Sequence, residues 1–369
     1  MSKPTIFVTA LIVVSVSVML ACGGSSSNAP PATGSGAYVY ATNAGGSVTG
    51  FSIDASSGAL SPVAGSPFIG PISSQGAAAT PDGQYLFVTS SRNNTVNGYV
   101  VDRSTGALTG MGLTPPYQAC FGGYTDLQPM NTVVNSTGTV LYTQNQQGTI
   151  SAFSIDATGC LTAIAGSPFR AGTLARGLAI DRTNTYLYVI NELGVNVFAI
   201  NANGSLSQRS QFPFSPTLVS IQTSPTSDML FAGDGGAGNQ VYAFNIYMLT
   251  GDLISVATSP TVNPDGTPAA FAMDPQGKYL FIANKLNHSV GAYSVDSTGK
   301  LTAVSGSPFT TGSGPGTLSV DPSGLYLFVG NTTGVSVQSF KIGSTGELTP
   351  VSTVSTPTNP VSLVAVRRR

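Results

Sequence analysis

Charge is what this sequence has least of. Only 8% of its 369 residues are Asp, Glu, Lys or Arg, where an average soluble domain carries about 25%. With 14 basic and 15 acidic residues the formal net charge is −1. That balance offers no broad basic surface for phosphates, which excludes a general nucleic-acid binder. Tryptophan is absent, histidine occurs once and cysteine three times. No Cys-x-x-Cys pair is present, so neither a zinc site nor a redox dithiol is indicated. A P-loop, a Rossmann fingerprint, a His-Glu-x-x-His motif and an EF-hand loop are missing too. No cofactor and no metal are expected. Disorder is also excluded, because 41% of the residues are apolar and disordered chains combine low hydrophobicity with high charge.

The N-terminus reads as targeting. Lys3 supplies a positive charge, the run from Ile6 to Leu20 is apolar, and Met19-Leu20-Ala21-Cys22 precedes a Gly/Ser stretch. The run is short for a membrane span. A charged start, an apolar stretch and a small residue at the cut describe an export signal. With a cysteine after the cut it resembles a bacterial lipoprotein signal. That resemblance implies a signal peptide over 1–21, a lipidated Cys22, a flexible tether over 22–37 and a membrane-anchored protein facing the periplasm or cell surface. Export would permit a disulfide between Cys120 and Cys160; two separate buried thiols are the alternative.

The remainder repeats itself, which is the first thing to settle in any fold reading. Gly-Ser-Pro-Phe occurs at 65–68, 166–169 and 306–309. A turn followed by an aromatic strand recurs, as in Asp274-Pro275-Gln276-Gly277-Lys278-Tyr279-Leu280-Phe281-Ile282 and Asp321-Pro322-Ser323-Gly324-Leu325-Tyr326-Leu327-Phe328-Val329. A Thr/Ser-Gly-x-Leu turn returns at 57–60, 105–108, 298–301 and 345–348. Leu86, Leu141, Leu187, Leu230, Leu280 and Leu327 hold equivalent places 43 to 55 residues apart, and Val39 fits one step earlier. Each unit contains four short apolar or alternating runs between turn residues, the signature of strands. Four strands per unit of this length predict the blades of a β-propeller.

Seven blades are expected: 38–68 with 360–366, then 75–113, 128–168, 174–213, 216–258, 268–308 and 315–353. The first unit lacks an inner strand, and the chain ends with a spare one at 360–366. The C-terminal strand should therefore complete the first blade and close the ring, leaving 367–369 as a solvated basic tail.

The Tyr-Leu-Phe-Val-x-Asn strands, the Gly-Ser-Pro-Phe phrases and the seven units resemble the lactonase-type propeller family, which includes 6-phosphogluconolactonase and carboxymuconate cyclase. The resemblance covers roughly 38–366. It implies a reactive face built from the blade-to-blade connections and the turns between second and third strands. Ten aspartates fall in turns of the opposite face, where Asp serves as a turn former. On the reactive face fall Asp126, Glu192, Asp234 and Asp265, with Arg92, Arg170, Arg176, Lys285 and His288.

Arg176-Gly177-Leu178 and Asn191-Glu192-Leu193 match the family's Arg and Asn-Glu-Leu positions. The resemblance implies that Arg176 and Glu192 face the central channel, with His288 as a further catalytic candidate. An Arg can hold an anion with a bidentate fork, and a Glu can act as general base. A salt bridge bracing adjacent strands is the other use open to this pair. Where the family has histidines, this chain has Gly177 and Pro129-Met130-Asn131-Thr132. Its Asn284-Lys285-Leu286-Asn287-His288 resembles the family's Asn-Arg-Gly-His segment.

Two functions follow. The first is a monomeric, anchored propeller binding a small polar ligand, a glycan or a protein partner, with Arg92, Asp126, Arg170, Asp234, Asp265 and Lys285 as contacts. The second is a lactone hydrolase using Glu192 with water, and Arg176 and Lys285 for substrate anions.

Overall fold

Seven antiparallel sheets account for every strand in the computed structural model, which describes residues 36–111, 123–214, 217–236, 238–262 and 266–368. Each sheet runs inner, second, third and outer strand. Blade four is typical: Gly177–Ile180, Tyr186–Asn191, Gly194–Ile200 and Leu206–Pro213. The signal segment, Cys22, Cys120 and Asp265 lie outside the described residues.

The ring closes as expected. Pro360–Arg367 is the inner strand of blade one and pairs antiparallel with Ala37–Asn43, from Ala37 opposite Arg367 to Asn43 opposite Pro360. The closing strand also reaches both neighbours. The Leu363 and Ala365 amides donate to Thr317 Oγ1 and Ser319 Oγ of blade seven, each at 3.1 Å. Ser362 Oγ accepts from the Ala77 amide of blade two at 3.2 Å. Leu363 and Val366 are buried in the two inter-blade cores on either side. One strand therefore satisfies an otherwise open sheet edge.

The repeated phrases have distinct physical tasks. In Tyr-Leu-Phe-Val-x-Asn the leucine is fully buried, as at Leu86, Leu280 and Leu327. Tyrosines on either side of that position, at the place of the phrase's tyrosine or of its phenylalanine, reach the next blade. Tyr38 and Tyr40 donate to the Ser104 and Gly106 carbonyls at 2.8 Å, Tyr142 to Gly204 at 2.7 Å, Tyr188 to Gly251 at 3.0 Å and Tyr279 to Ser344 at 2.7 Å. Burial pushes the Tyr40 and Tyr188 phenols well up, so both remain neutral donors. The receiving element is the Thr/Ser-Gly-x-Leu turn. At Gly251, which has φ 81, an added Cβ would lie 2.5 Å from the Tyr186 ring, so both the backbone and the packing require glycine.

The closing Asn of the phrase ties the second strand to the third. Asn43 Nδ2 donates to Thr49 Oγ1 at 2.8 Å, and Asn145 Nδ2 to Ser151 Oγ at 2.9 Å.

Gly-Ser-Pro-Phe is a break in the outer strand. Ser66–Pro67, Ser167–Pro168, Ser259–Pro260 and Ser307–Pro308 are cis, and the last three residues of the phrase lead into a short second segment on the same third strand. At the break one third-strand amide loses its ladder carbonyl, and the serine hydroxyl accepts it instead. Gly50 donates to Ser66 Oγ at 3.0 Å, and Ala152, Ala243 and Ala292 donate to Ser167, Ser259 and Ser307 Oγ at 2.9 Å. Thr258-Ser259-Pro260-Thr261 is thus a further copy that its composition conceals. Blades four and seven keep an unbroken eight-residue outer strand with a bulge.

Candidate functional site

The second strands run toward the face that carries the blade-to-blade connections, here called the mouth face. Ala37 and Arg367, the two ends of the propeller, both lie at the far face.

On the far face the aspartates are turn formers. Asp54 accepts from the Ser56 and Ser57 hydroxyls and amides, which holds its carboxyl well below the usual range. Asp102, bound in the same way by Ser104 and Thr105, is lowered to about 2. Buried Asp181, Asp274 and Asp321 cap the next strand through amides such as Tyr326, at 2.7 Å from Asp321 Oδ1. Arg182–Asp228, at 2.7 Å, is the single ion pair among the described residues. Cys160, in another of these turns, is disulfide-bonded.

On the mouth face a cavity of about 320 Å³ is lined by Met130, Asn131, Gln144, Gln146, Leu174, Ala175 and Arg176. A second cavity, of about 240 Å³ on the ring axis, shares Asn131 and Arg176 and is otherwise walled by small or apolar inner-strand residues, with Thr132, Ser220, Thr317 and Ser362 as hydroxyls. Ser220 Oγ is buried there without a hydrogen-bond partner in the protein. Arg176 is exposed and is the single charged side chain among the described lining residues of either cavity. No carboxylate among the described residues lies within 4.0 Å of its guanidinium.

The backbone around Arg176 is held closely. Its amide donates to the Ile190 carbonyl at 3.0 Å, and its carbonyl accepts from Asn131 Nδ2 at 2.8 Å. Gln144, buried at the end of the second strand of blade three, donates to the Ala175 carbonyl and accepts from Asn131 at 3.3 Å. Two amides of blade three therefore fix the loop that presents Leu174 and Arg176 of blade four. Neither Gln144 nor Leu174 stood out in the sequence. The signal for Gln144 was present: its equivalents are Thr89, Ile190, Gly233, Ala283 and Gly330, none of which carries an amide.

Glu192 is exposed in the turn that follows Asn191, and its amide donates to the Thr173 carbonyl at 3.2 Å. It adjoins the loop carrying Leu174 and Arg176, yet lines neither cavity.

The other expected site residues are dispersed or already occupied. Asp126 accepts from the Leu127 amide and from Thr149 Oγ1, both at 2.8 Å. Asp234 occupies the place that Asn holds in other blades; it is buried and binds the Gly236 amide at 2.8 Å and the Thr217 hydroxyl. His288 has φ 54, and its Nδ1 accepts the Gly314 amide at 2.9 Å, so it joins blade six to the start of blade seven. Arg92 and Lys285 are exposed and line neither cavity. Arg170 lies in the two-residue strand Phe169–Arg170 opposite Thr149, not in a connecting loop. Among the described residues no three His, Cys, Asp or Glu side chains form a cluster that could hold a metal ion.

A profile of the family described as "Lactonase, 7-bladed beta-propeller" matches residues 131–365. The chain belongs to this lactonase family. It is 28% identical over 248 residues to the 6-phosphogluconolactonase of Blochmanniella pennsylvanica, covering 63% of this chain and 69% of that one. It is 26% identical over 217 residues to the 6-phosphogluconolactonase of Serratia proteamaculans, covering 55% and 60%. A Bacteroides fragilis structure described provisionally as a 6-phosphogluconolactonase superposes with a TM-score of 0.75 at 20% identity, over 91% of this chain and 99% of that one. The periplasmic gluconolactonase PpgL of Pseudomonas aeruginosa gives 0.71 at 16%, over 91% and 100%. At these identities the two superpositions speak for the fold alone. The family match gives the Arg176 loop its context: it sits at the axial mouth of a lactonase propeller.

Proposed function

We propose that this protein hydrolyses a lactone at the axial mouth, with Arg176 as the group that binds the reacting carbonyl. The observation that carries the reading is the Arg176 guanidinium, without an ion-pair partner among the described residues and fixed by its backbone at the junction of the two cavities. In this mechanism Glu192 takes a proton from water as the water oxygen bonds to the acyl carbon. Arg176 stabilises the oxyanion that forms. The ring C–O bond then breaks, the proton held by Glu192 passes to the leaving alkoxide, and the new carboxylic acid releases its remaining proton to solvent, leaving a hydroxy acid with its carboxylate on Arg176.

Initial rates on a lactone panel test this reading. Arg176→Ala should lose about a hundredfold or more in kcat/KM, the scale for removing one oxyanion donor. Glu192→Gln should lower kcat by a similar factor. Rates unchanged in both variants would remove the mechanism. Binding of a small polar ligand without turnover is a second reading. It is favoured by the absence of a titratable base among the described lining residues, and it predicts ligand binding that needs Arg176 with no hydrolysis at all.

We also propose export and tethering through Cys22, on the strength of Lys3, the apolar run to Leu20 and Ala21-Cys22. Labelling with palmitate in wild type and its loss in Cys22→Ala support the anchor; equal labelling of both contradicts it.

A further inference from the structure

Resting on the lactonase reading, we infer that the substrate is a lactone with an alkyl arm and at most one negative charge, not a sugar-phosphate lactone. Charge is the first argument. A phosphate monoester brings a charge of about −1.5 to −2 and three strong acceptor oxygens; one bidentate fork offsets a single charge and two of those oxygens, so a full match takes more than one cation. The described walls of the two cavities supply one guanidinium. The other mouth-face cations, Arg92, Arg170 and Lys285, line neither. The hydroxy-acid product of lactone hydrolysis carries a single carboxylate, which one guanidinium matches.

The second argument is the wall beside that guanidinium. Met130, Leu174 and Ala175 form its apolar part. Leu174 has φ 51 and is 50% exposed. The left-handed region costs a non-glycine residue roughly 1–2 kcal/mol, and half the side chain gains nothing from burial. The same connection is left-handed in other blades, at Ser73, Gln128 and Gly314, so the fold sets this backbone; what is particular to blade four is that the position carries a leucine, whose exposed half forms apolar wall of the cavity. The remaining polar lining is amide: Asn131 and Gln144 are engaged with each other and with the loop backbone, and exposed Gln146 faces the same space. A wall of one cation, two exposed amides and the apolar surface of Met130 and Leu174 suits a lactone ring bearing an aliphatic chain. At about 320 Å³ the cavity lies at the small end of ligand sites.

The experiment compares δ-decalactone, δ-valerolactone and 6-phosphogluconolactone as substrates of wild type and Leu174→Gly. Glycine accepts φ 51, so the variant should fold, and a melting curve checks that it does. Wild type should process δ-decalactone with kcat/KM about tenfold or more above δ-valerolactone, with 6-phosphogluconolactone lowest. In Leu174→Gly the ratio between the two alkyl-series lactones should fall toward one. Equal or faster turnover of 6-phosphogluconolactone overturns the inference while leaving the hydrolase reading intact. If no lactone turns over, the hydrolase reading falls, and calorimetric titration with 5-hydroxydecanoate and 6-phosphogluconate decides the inference. Tighter binding of the alkyl acid by about tenfold or more retains the alkyl, singly charged ligand class; equal, reversed or undetectable binding overturns it.

Discussion

Leu363→Ala is the substitution that examines ring closure without removing the closing strand. Leu363 is 6% exposed and packs in the core between blades seven and one with Val39, Phe51 and Phe328. Truncating a buried leucine costs about 2–5 kcal/mol, depending on how far the site collapses. Rigid strands on both sides leave little room for collapse, which favours the upper half of that range. A propeller of this size shifts its Tm by about 2 °C per kcal/mol or slightly less, so the melting temperature should fall by roughly 5–10 °C. Ending the chain at Asn359 is the stronger form. It removes Leu363 and Val366 from two cores, leaves one whole edge of the strand Ala37–Asn43 without its partner, and breaks the bonds to Ala77, Thr317 and Ser319. The two side chains alone contribute about 3–6 kcal/mol, against a total stability of about 5–15 kcal/mol. Calorimetry should show no cooperative transition near the wild-type temperature. A Tm within about 2 °C of wild type in Leu363→Ala, or an intact transition in the truncated chain, would refute the closure argument.

Three further outcomes are expected. Gly251→Ala should lower stability by about 2–4 kcal/mol in denaturant titration, combining a left-handed backbone with a Cβ against the Tyr186 ring; an effect below about 0.5 kcal/mol contradicts the seam. Hydroxyls and amides in the far-face turns depress Asp54, Asp102, Asp156, Asp252 and Asp296. Their stabilising effect is therefore complete above the ordinary carboxylate range near pH 4 and is lost as pH falls toward the value of about 2 held by Asp102. Melting temperatures should drop between pH 5 and pH 2.5, by less in Asp102→Asn; a flat profile removes the assignment. His288→Asn keeps an acceptor and tolerates positive φ, so lactone turnover should stay within about twofold; a loss of a hundredfold would return His288 to the chemistry.

The fold was legible because its signals are periodic and redundant. A leucine every 43 to 55 residues, a spare strand at the end and a missing one at the start leave little freedom in topology. The site was less legible because one residue type serves two purposes. Asp234 and His288 looked chemical by scarcity, yet each satisfies local backbone donors, and that use depends on turn geometry that residue counts do not contain. Arg176 was recognised by its motif. The apolar half of the mouth was missed because Leu174 reads as an ordinary core residue, and its φ of 51 is a property of the folded loop. Gln144 was missed because nothing in the strand pattern shows that its side chain crosses to the next blade to hold the Ala175 carbonyl.

The most direct measurement is a crystal structure of the protein with 5-hydroxydecanoate, the acid of its expected substrate class. Density should lie in the cavity at the mouth, with the carboxylate against the Arg176 guanidinium and the chain along Leu174 and Met130. A ligand bound at the far face, or an Arg176 paired with a protein carboxylate while the ligand sits elsewhere, would contradict the account.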